Sequence, residues 1–120
     1  FEGAFKPKMR ALDNPNHVYQ LSEVDQRPSA LYREKFNVPY DIIRNAKRLR
    51  VVLIFVVEPD GSTGQIRVME SSGNPDYDAL VADHVKDWTF NPGIKHGRKV
   101  RTLMEEAVVG RVSEGNPFHY

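Results

Sequence analysis

The chain has 120 residues, which suits one domain with a single hydrophobic core. Its charged fraction is 28% and its formal net charge is +1, so it lacks the basic surplus that nucleic-acid-binding domains usually show. It has no cysteine, which excludes disulfides, cysteine nucleophiles and thiolate metal sites. No apolar run is long enough to span a bilayer. Because the sequence does not begin with Met, we expect any membrane anchor to lie upstream of Phe1.

The first part of the chain predicts an arm followed by a short strand. Residues 1–16 contain two prolines and little periodicity, which favours an irregular arm or linker. Residues 17–24 have strand-like composition and enough apolar side chains to need cover, so we expect them to lie on the domain. Pro28 ends this segment because proline cannot donate to a ladder. We expect the segment to add an N-terminal edge strand to the sheet of its own chain. The alternative is that it pairs with a second copy in a homodimer.

Residues 36–50 predict the first helix. Asn37 is a candidate N-cap and Pro39 suits the first helical turn. Ile42 and Leu49 are seven residues apart, so they lie on the same face of a helix. We expect this apolar face to pack on a sheet.

The centre of the chain predicts a hairpin. Residues 51–57 are apolar on both faces, as in a strand that lies in the middle of a sheet. Residues 58–61, Glu-Pro-Asp-Gly, have the chemistry of a turn. In the second strand Ile66 and Val68 face one way and Arg67 the other, which indicates that only one face is covered.

Residues 72–88 predict the second helix, with Asn74 or Ser72 as its cap. Its apolar stripe comprises Tyr77, Leu80, Val81, His84, Val85 and Trp88. We interpret Trp88 as a residue that closes the core. The same helix carries the carboxylates Asp76, Asp78, Asp83 and Asp87. We interpret these four as a solvated face rather than an acid–base pair.

After this helix, a turn at His96-Gly97 leads into a third strand over residues 99–109. If the hairpin strands are neighbours, the third strand fits beside the first, and the sheet is antiparallel with the order 2-1-3. The predicted fold is therefore α+β, with a three-stranded antiparallel sheet and two helices on one face. The domain spans residues 17–112 and residues 113–120 form an irregular tail. In this order the third strand is an edge.

The sequence has no motif typical of a catalytic, metal-binding or phosphate-binding site. The four histidines are scattered without metal-ligand spacing, and the Gly-Ser-Thr-Gly segment lacks the lysine of a phosphate-binding loop. Two basic clusters, around Arg48 and around Lys99, are interpreted as solvated surface because no aromatic residues are interleaved with them as in single-strand binders. We predict no metal, no cofactor, no nucleic-acid partner and no enzymatic activity.

Four motifs, in order, resemble those of the TonB carboxy-terminal domain family. They are Val57-Glu58-Pro59-Asp60-Gly61, Glu70-Ser71-Ser72-Gly73, Trp88-Thr89-Phe90-Asn91-Pro92-Gly93 and Gly97-Arg98-Lys99-Val100. The similarity covers residues 19–109. It implies a periplasmic domain, anchored in the inner membrane and driven by proton-powered motor proteins through the N-terminal region missing here. Such domains bind the TonB box, a short peptide of outer-membrane transporters, by strand addition, and so couple the proton gradient to active uptake.

The resemblance leaves an alternative, a TonB-like structural or oligomerising domain of a cell-envelope protein that does not engage transporters. Under the transporter hypothesis, we predict that the peptide pairs along the third strand, because an exposed edge offers unpaired N–H and C=O groups. The predicted partner-binding residues are Val38, Pro39, Tyr40, Lys99, Val100, Arg101, Thr102, Leu103, Met104 and Glu105. The resemblance points to the same strand.

Overall fold

The computed structural model describes residues 16–33, 36–45, 49–113 and 116–119. Its first half contains β1 (Val18–Tyr19), a 3-10 turn (Leu21–Glu23), β2 (Ser29–Tyr32), α1 (Tyr40–Asn45), β3 (Arg50–Val57) and β4 (Thr63–Glu70). Its second half contains α2 (Pro75–Val85), β5 (Thr89–Asn91), β6 (Gly93–Lys95), β7 (Arg98–Val109), β8 (Arg111–Ser113) and β9 (Asn116–His119). Neither described helix is long and apolar enough to cross a membrane.

The main sheet has the order β1-β7-β3-β4, and β6 also pairs with β7. β3 is antiparallel to β4 and to β7, and its register with β7 runs without a shift from Arg50 opposite Val109 to Val57 opposite Thr102. β1 is parallel to β7. The mixed α+β class is as predicted, but the expected sheet of three strands is too small. β1 and β6 extend it, and two separate ribbons, β2–β5 and β8–β9, lie outside it.

The core lies between β3 and α2. The β3 side chains on this face are Val51, Leu53, Phe55 and Val57, and all four are fully buried. They meet Tyr77, Val81 and Val85 of α2. Val52 and Val56 on the opposite face of β3 are also buried, which confirms the prediction that this strand is central. Trp88 is 0% exposed, as expected of a residue that closes the core.

The two helices begin differently. Asn74 caps α2 as predicted: its Oδ1 accepts the backbone N–H of Asp76 at 2.9 Å and of Tyr77 at 3.1 Å. α1 begins only at Tyr40, so the prediction of Asn37 as its N-cap is wrong. The carbonyl of Pro39, just before the helix, accepts the N–H of Ile42 at 3.0 Å. The predicted continuation through residues 46–48 lies outside the described residues.

The segment after α2 contains strands that the sequence did not predict. Pro92 and Gly93 follow the helix as expected, but β5 ends just before Pro92 and β6 begins at Gly93. β5 is fixed to the turn between β3 and β4, because Phe90 donates its N–H to the carbonyl of Gly61 at 2.9 Å. Gly61 has a φ of +89°, and a side chain there would collide with that Phe90 carbonyl. The β8–β9 ribbon likewise occupies the segment expected to be an irregular tail.

Residues 16–33, here called the strap, lie along the domain and pair with β5, β6 and β7. Asp25 and Gln26 donate their N–H groups to the carbonyl of Ile94 at 2.7 and 3.1 Å, and the carboxylate of Asp25 accepts the N–H of His96 at 2.8 Å. β2 pairs with β5 further along. The prediction that this segment lies on the domain is confirmed. It forms only a two-residue strand at β1, because the chain then turns into the 3-10 turn.

Candidate partner-binding edge

β7 is covered at its start and open further on. β6 pairs with residues 98–100 and β1 pairs with Arg101 and Thr102. Past Thr102, no strand in the described part of the chain pairs with β7 on the side away from β3. Residues 98–102 are therefore called the covered segment, and residues 103–109 the open edge. The predicted partner site falls across both.

The ladder between β3 and β7 determines which backbone groups of the open edge point outward. Gly110 donates its N–H to the carbonyl of Leu49 at 2.6 Å, so these two residues form a hydrogen-bonded pair in line with the ladder. Hydrogen-bonded and non-bonded pairs alternate along antiparallel strands. Every second residue of β7 from Gly110 backwards therefore faces β3. The residues between them point their N–H and C=O groups away from β3, and they are Leu103, Glu105, Ala107 and Val109. The parallel pairing of Tyr19 with Thr102 uses the N–H of Leu103, because Thr102 itself faces β3. The outward N–H groups that remain are those of Glu105, Ala107 and Val109.

A groove runs between the strap and the open edge. Its strap wall is formed by Gln20, Leu21 and Arg27, its strand wall by Leu103 and Glu105, and its floor by Ile54. A second depression shares Gln20, Ile54 and Leu103 and continues across β3 to Arg67 of β4. Both lie on the face of the sheet opposite the helices, so a strand added to β7 would border them.

The covered segment and the open edge carry opposite charge. Arg98, Lys99 and Arg101 belong to the covered segment, whereas Glu105 and Glu106 belong to the open edge. Arg101 is bound by the carboxylate of Glu58 at 2.8 and 3.0 Å. The hydrogen bond with Glu58 raises the pKa of Arg101.

Of the two carboxylates on the open edge, one is already paired. Glu106 contacts Arg33 of the strap at 2.5 Å, and the same guanidinium lies 5.2 Å from the ring centre of Trp88. Glu105 is exposed and has no ion pair with any residue that the structure describes. Glu105 is thus the accessible negative charge of the open edge.

The predicted site residues have different environments. Val38 is 3% exposed and belongs to the core, so its side chain cannot meet a partner, whereas Pro39 and Tyr40 are exposed. Val100 and Thr102 are also buried. The accessible or half-accessible members on β7 are Lys99, Arg101, Leu103, Met104 and Glu105. The strap residues that line the groove were not predicted, because no local pattern indicates that Gln20 and Arg27 approach a strand some eighty residues away.

Asp78 contradicts the prediction that the carboxylates of α2 form a solvated face. It is buried, it accepts hydrogen bonds from the hydroxyl groups of Ser71 and Ser72, and the N–H of Ser72 lies 3.0 Å from its Oδ1. Burial raises the pKa of Asp78, but the hydrogen bonds from Ser71 and Ser72 outweigh it and leave the pKa lowered. The role is structural: Asp78 holds the end of β4 to the start of α2. Within the described residues, no group of three or more metal-ligating side chains occurs.

These features define a small α+β domain in which, among the described residues, β7 has no strand neighbour past Thr102 on the side away from β3. The model of the family described as Gram-negative bacterial TonB protein C-terminal matches residues 38–108, and the chain belongs to that family. Its members are non-enzymatic periplasmic binding domains, and TonB C-terminal domains interact with outer-membrane transporters. The strap precedes the matched residues.

The fold is also similar to a solved structure. The solution NMR structure of the Pseudomonas aeruginosa TonB C-terminal domain aligns with a TM-score of 0.58 at 21% identity, covering 82% of this chain and 97% of that one. A search of curated protein sequences found no match. At this identity the structural similarity supports the fold alone.

Proposed function

We propose that this domain engages the TonB box of an outer-membrane transporter by strand addition along the open edge. The observation that carries the proposal is the row of outward N–H and C=O groups on Glu105, Ala107 and Val109 in a chain of this family. An extended peptide can satisfy these groups with main-chain hydrogen bonds. In this proposal the full-length protein is anchored in the inner membrane, receives energy from proton-driven motor proteins and supports active uptake.

The test compares two proline variants of the domain in their binding to transporter peptides. The N–H of Glu105 points outward and lies past the pairing of β7 with β1, so Glu105→Pro removes a group that the partner needs and leaves the β3 ladder intact. We expect a folded domain that no longer binds the peptide in calorimetry. The neighbouring Met104→Pro removes an N–H that faces β3, so it should destabilise the domain itself.

Glu105→Ala is the control for the side chain. It retains the N–H and should keep measurable binding. If folded Glu105→Pro binds a transporter peptide as tightly as the unchanged domain does, strand addition at this edge is wrong. Binding can be located independently by the chemical-shift changes of residues 103–109.

A second candidate function, an oligomerising domain of the cell envelope, is favoured by the other end of the sheet. β4 is the last strand of the order, and its Val68 and Met69 are 41% and 58% exposed. An exposed edge with apolar side chains can pair with a second copy. Light scattering at rising concentration tests this function: a dimer that Met69→Lys dissociates would support it.

A further inference from the structure

The outward backbone groups of the open edge fix which of its side chains a partner strand would meet. Opposite residues of neighbouring strands place their side chains on the same face of a sheet. Glu105 lies opposite Ile54 and Ala107 opposite Val52, so both belong to the face with the groove. A partner strand that pairs past the end of β1 therefore places every second side chain beside Glu105, Ala107 and Val109.

The middle one of these three positions has the smallest side chain. Ala107 is exposed and contributes only a methyl group, and its neighbour on the same face, Val109, is 48% exposed. A long side chain opposite Ala107 can extend across this methyl group and reach Val109, because diagonal neighbours on adjacent strands lie within reach of large side chains. An apolar side chain in this place would remove the exposed surface of both residues from water.

The charges around Ala107 do not favour an acidic partner residue. Arg50, which lies opposite Val109, is bound by the carboxylate of Glu70 at 2.8 Å. Glu105 is exposed, has no ion pair with any described residue and stands on the same face as Ala107. A carboxylate opposite Ala107 would therefore lose hydration and face the negative charge of Glu105.

The other face of an added strand would meet different neighbours. Glu106 and Val108 point to the face with the helices, opposite Leu53 and Val51. Glu106 is already paired with Arg33 at 2.5 Å, and Val108 is 0% exposed. Neither residue offers the partner an accessible apolar surface, so the apolar contact of an added strand is concentrated on the face that carries Ala107.

We propose that Ala107 is the specificity-determining residue of the open edge and that it selects an extended peptide with a large apolar side chain opposite it. This inference rests on the proposed strand addition and deepens it by naming the chemistry of the partner. It does not depend on the direction of the added strand, because the residue opposite Ala107 shares its face in either orientation.

The experiment varies one residue of the peptide and one residue of the domain. Synthetic peptides of serine and threonine that differ only in a central leucine, threonine or glutamate are titrated into the unchanged domain and into Ala107→Lys. The unchanged domain should prefer the leucine peptide to the threonine peptide by about fivefold. Ala107→Lys should instead prefer the glutamate peptide to the leucine peptide by about the same factor, because opposite charges then face each other across the ladder.

Two further variants separate this contact from net charge and from the general stickiness of the edge. Ala30→Lys makes the same change at an exposed alanine of β2, away from β7, and should leave the preference for leucine intact. Val109→Thr removes the apolar neighbour of Ala107 and should reduce the preference for leucine without reversing it. Equal affinities of the leucine and threonine peptides for the unchanged domain, or the same reversal in Ala30→Lys, would overturn the inference.

The outcome also distinguishes this inference from the proposed function. If peptides bind, and Glu105→Pro abolishes binding, but Ala107→Lys does not reverse the preference, strand addition stands and the role of Ala107 is wrong. If no peptide causes chemical-shift changes along residues 105–109, both are wrong.

Discussion

The two parts of β7 differ in how they are completed. The covered segment is basic, and the chain itself supplies its neighbours in β1 and β6. The open edge is acidic and in the described part of the chain has a neighbour on one side only, β3. One strand therefore combines a part that belongs to the interior of the fold with a part that is available to another molecule. The strap decides where β7 becomes available, because its strand pairing with β7 stops at Tyr19.

Both parts of β7 belong to one sheet that packs on one core. Among the described residues, Trp88 is the largest fully buried side chain of that core. Trp88→Ala should cost about 3–5 kcal/mol, as other large aromatic truncations do, because the cavity cannot fully collapse. Thermal or denaturant unfolding measures this. A variant with an unchanged free energy of unfolding would show that Trp88 does not stabilise the core, and that this core does not hold the two parts of β7 together.

Asp78 stabilises the same domain at a position away from β7. Asp78→Asn should lower stability at neutral pH by about 1–3 kcal/mol, because charge-assisted bonds from Ser71 and Ser72 are weakened. The pKa of Asp78 is lowered in the folded state, so its contribution is present above the ordinary carboxyl pKa and is lost as the pH falls through the folded-state pKa.

The unchanged domain should therefore lose more stability on acidification than Asp78→Asn does. Urea unfolding of both proteins along a pH series measures the difference, and carboxylates common to both cancel. Parallel curves in the acid range would refute this role. Peptide binding by folded Asp78→Asn should be unaffected, because Asp78 contacts neither part of β7.

Arg101 stabilises the covered segment. It binds Glu58 and donates from Nη1 to the carbonyl of Asn16 at 3.0 Å, so it ties β1 to the hairpin of β3 and β4. Arg101→Ala should cost about 1–2 kcal/mol through the loss of the charge-assisted pair. Amide exchange should accelerate at Val18 and Tyr19 but not at Gln26. Arg101→Lys should give an intermediate result, since lysine keeps the charge without the forked geometry.

Glu106 gives the smallest expected effect, on the open edge. Its contact with Arg33 is partly exposed, with 39% of the arginine side chain accessible, so Glu106→Gln should cost less than about 1 kcal/mol. The measurement is denaturant unfolding together with peptide titration. A loss of several times this amount would mean that the strap, and not the core, holds the open edge in position.

The sequence predicted the parts of the fold that have strong local patterns. The two-sided apolar run of β3 indicated a central strand, and Asn74 before Pro75 indicated the start of α2. The short strands β2, β5 and β6 were missed because three or four residues show no measurable periodicity. Their pairing depends on hydrogen bonds between distant segments, such as Gln26 with Ile94.

The candidate site was predictable in outline only. The edge character of β7 followed from the position of β3, and the partner-binding role of its residues stays a prediction. The burial of Val38 was not foreseen, because an apolar residue before a helix can face either the core or solvent, and the sequence alone does not distinguish the two. Asp78 was misread because its partners, Ser71 and Ser72, approach it only after the chain has turned into α2.

The parallel pairing of β1 with β7 has a mechanical consequence. Tension applied to the chain at Asn16 reaches the domain first through β1, which has two residues, and through the bond from Arg101. We expect this two-residue ladder to separate first. The next attachment consists of the hydrogen bonds from Asp25 and Gln26 to the carbonyl of Ile94. The strap would therefore detach in steps, and its first step would uncover Arg101 and Thr102 directly beside the open edge. A load on this chain thus lengthens the unpaired stretch of β7 before it disturbs the core.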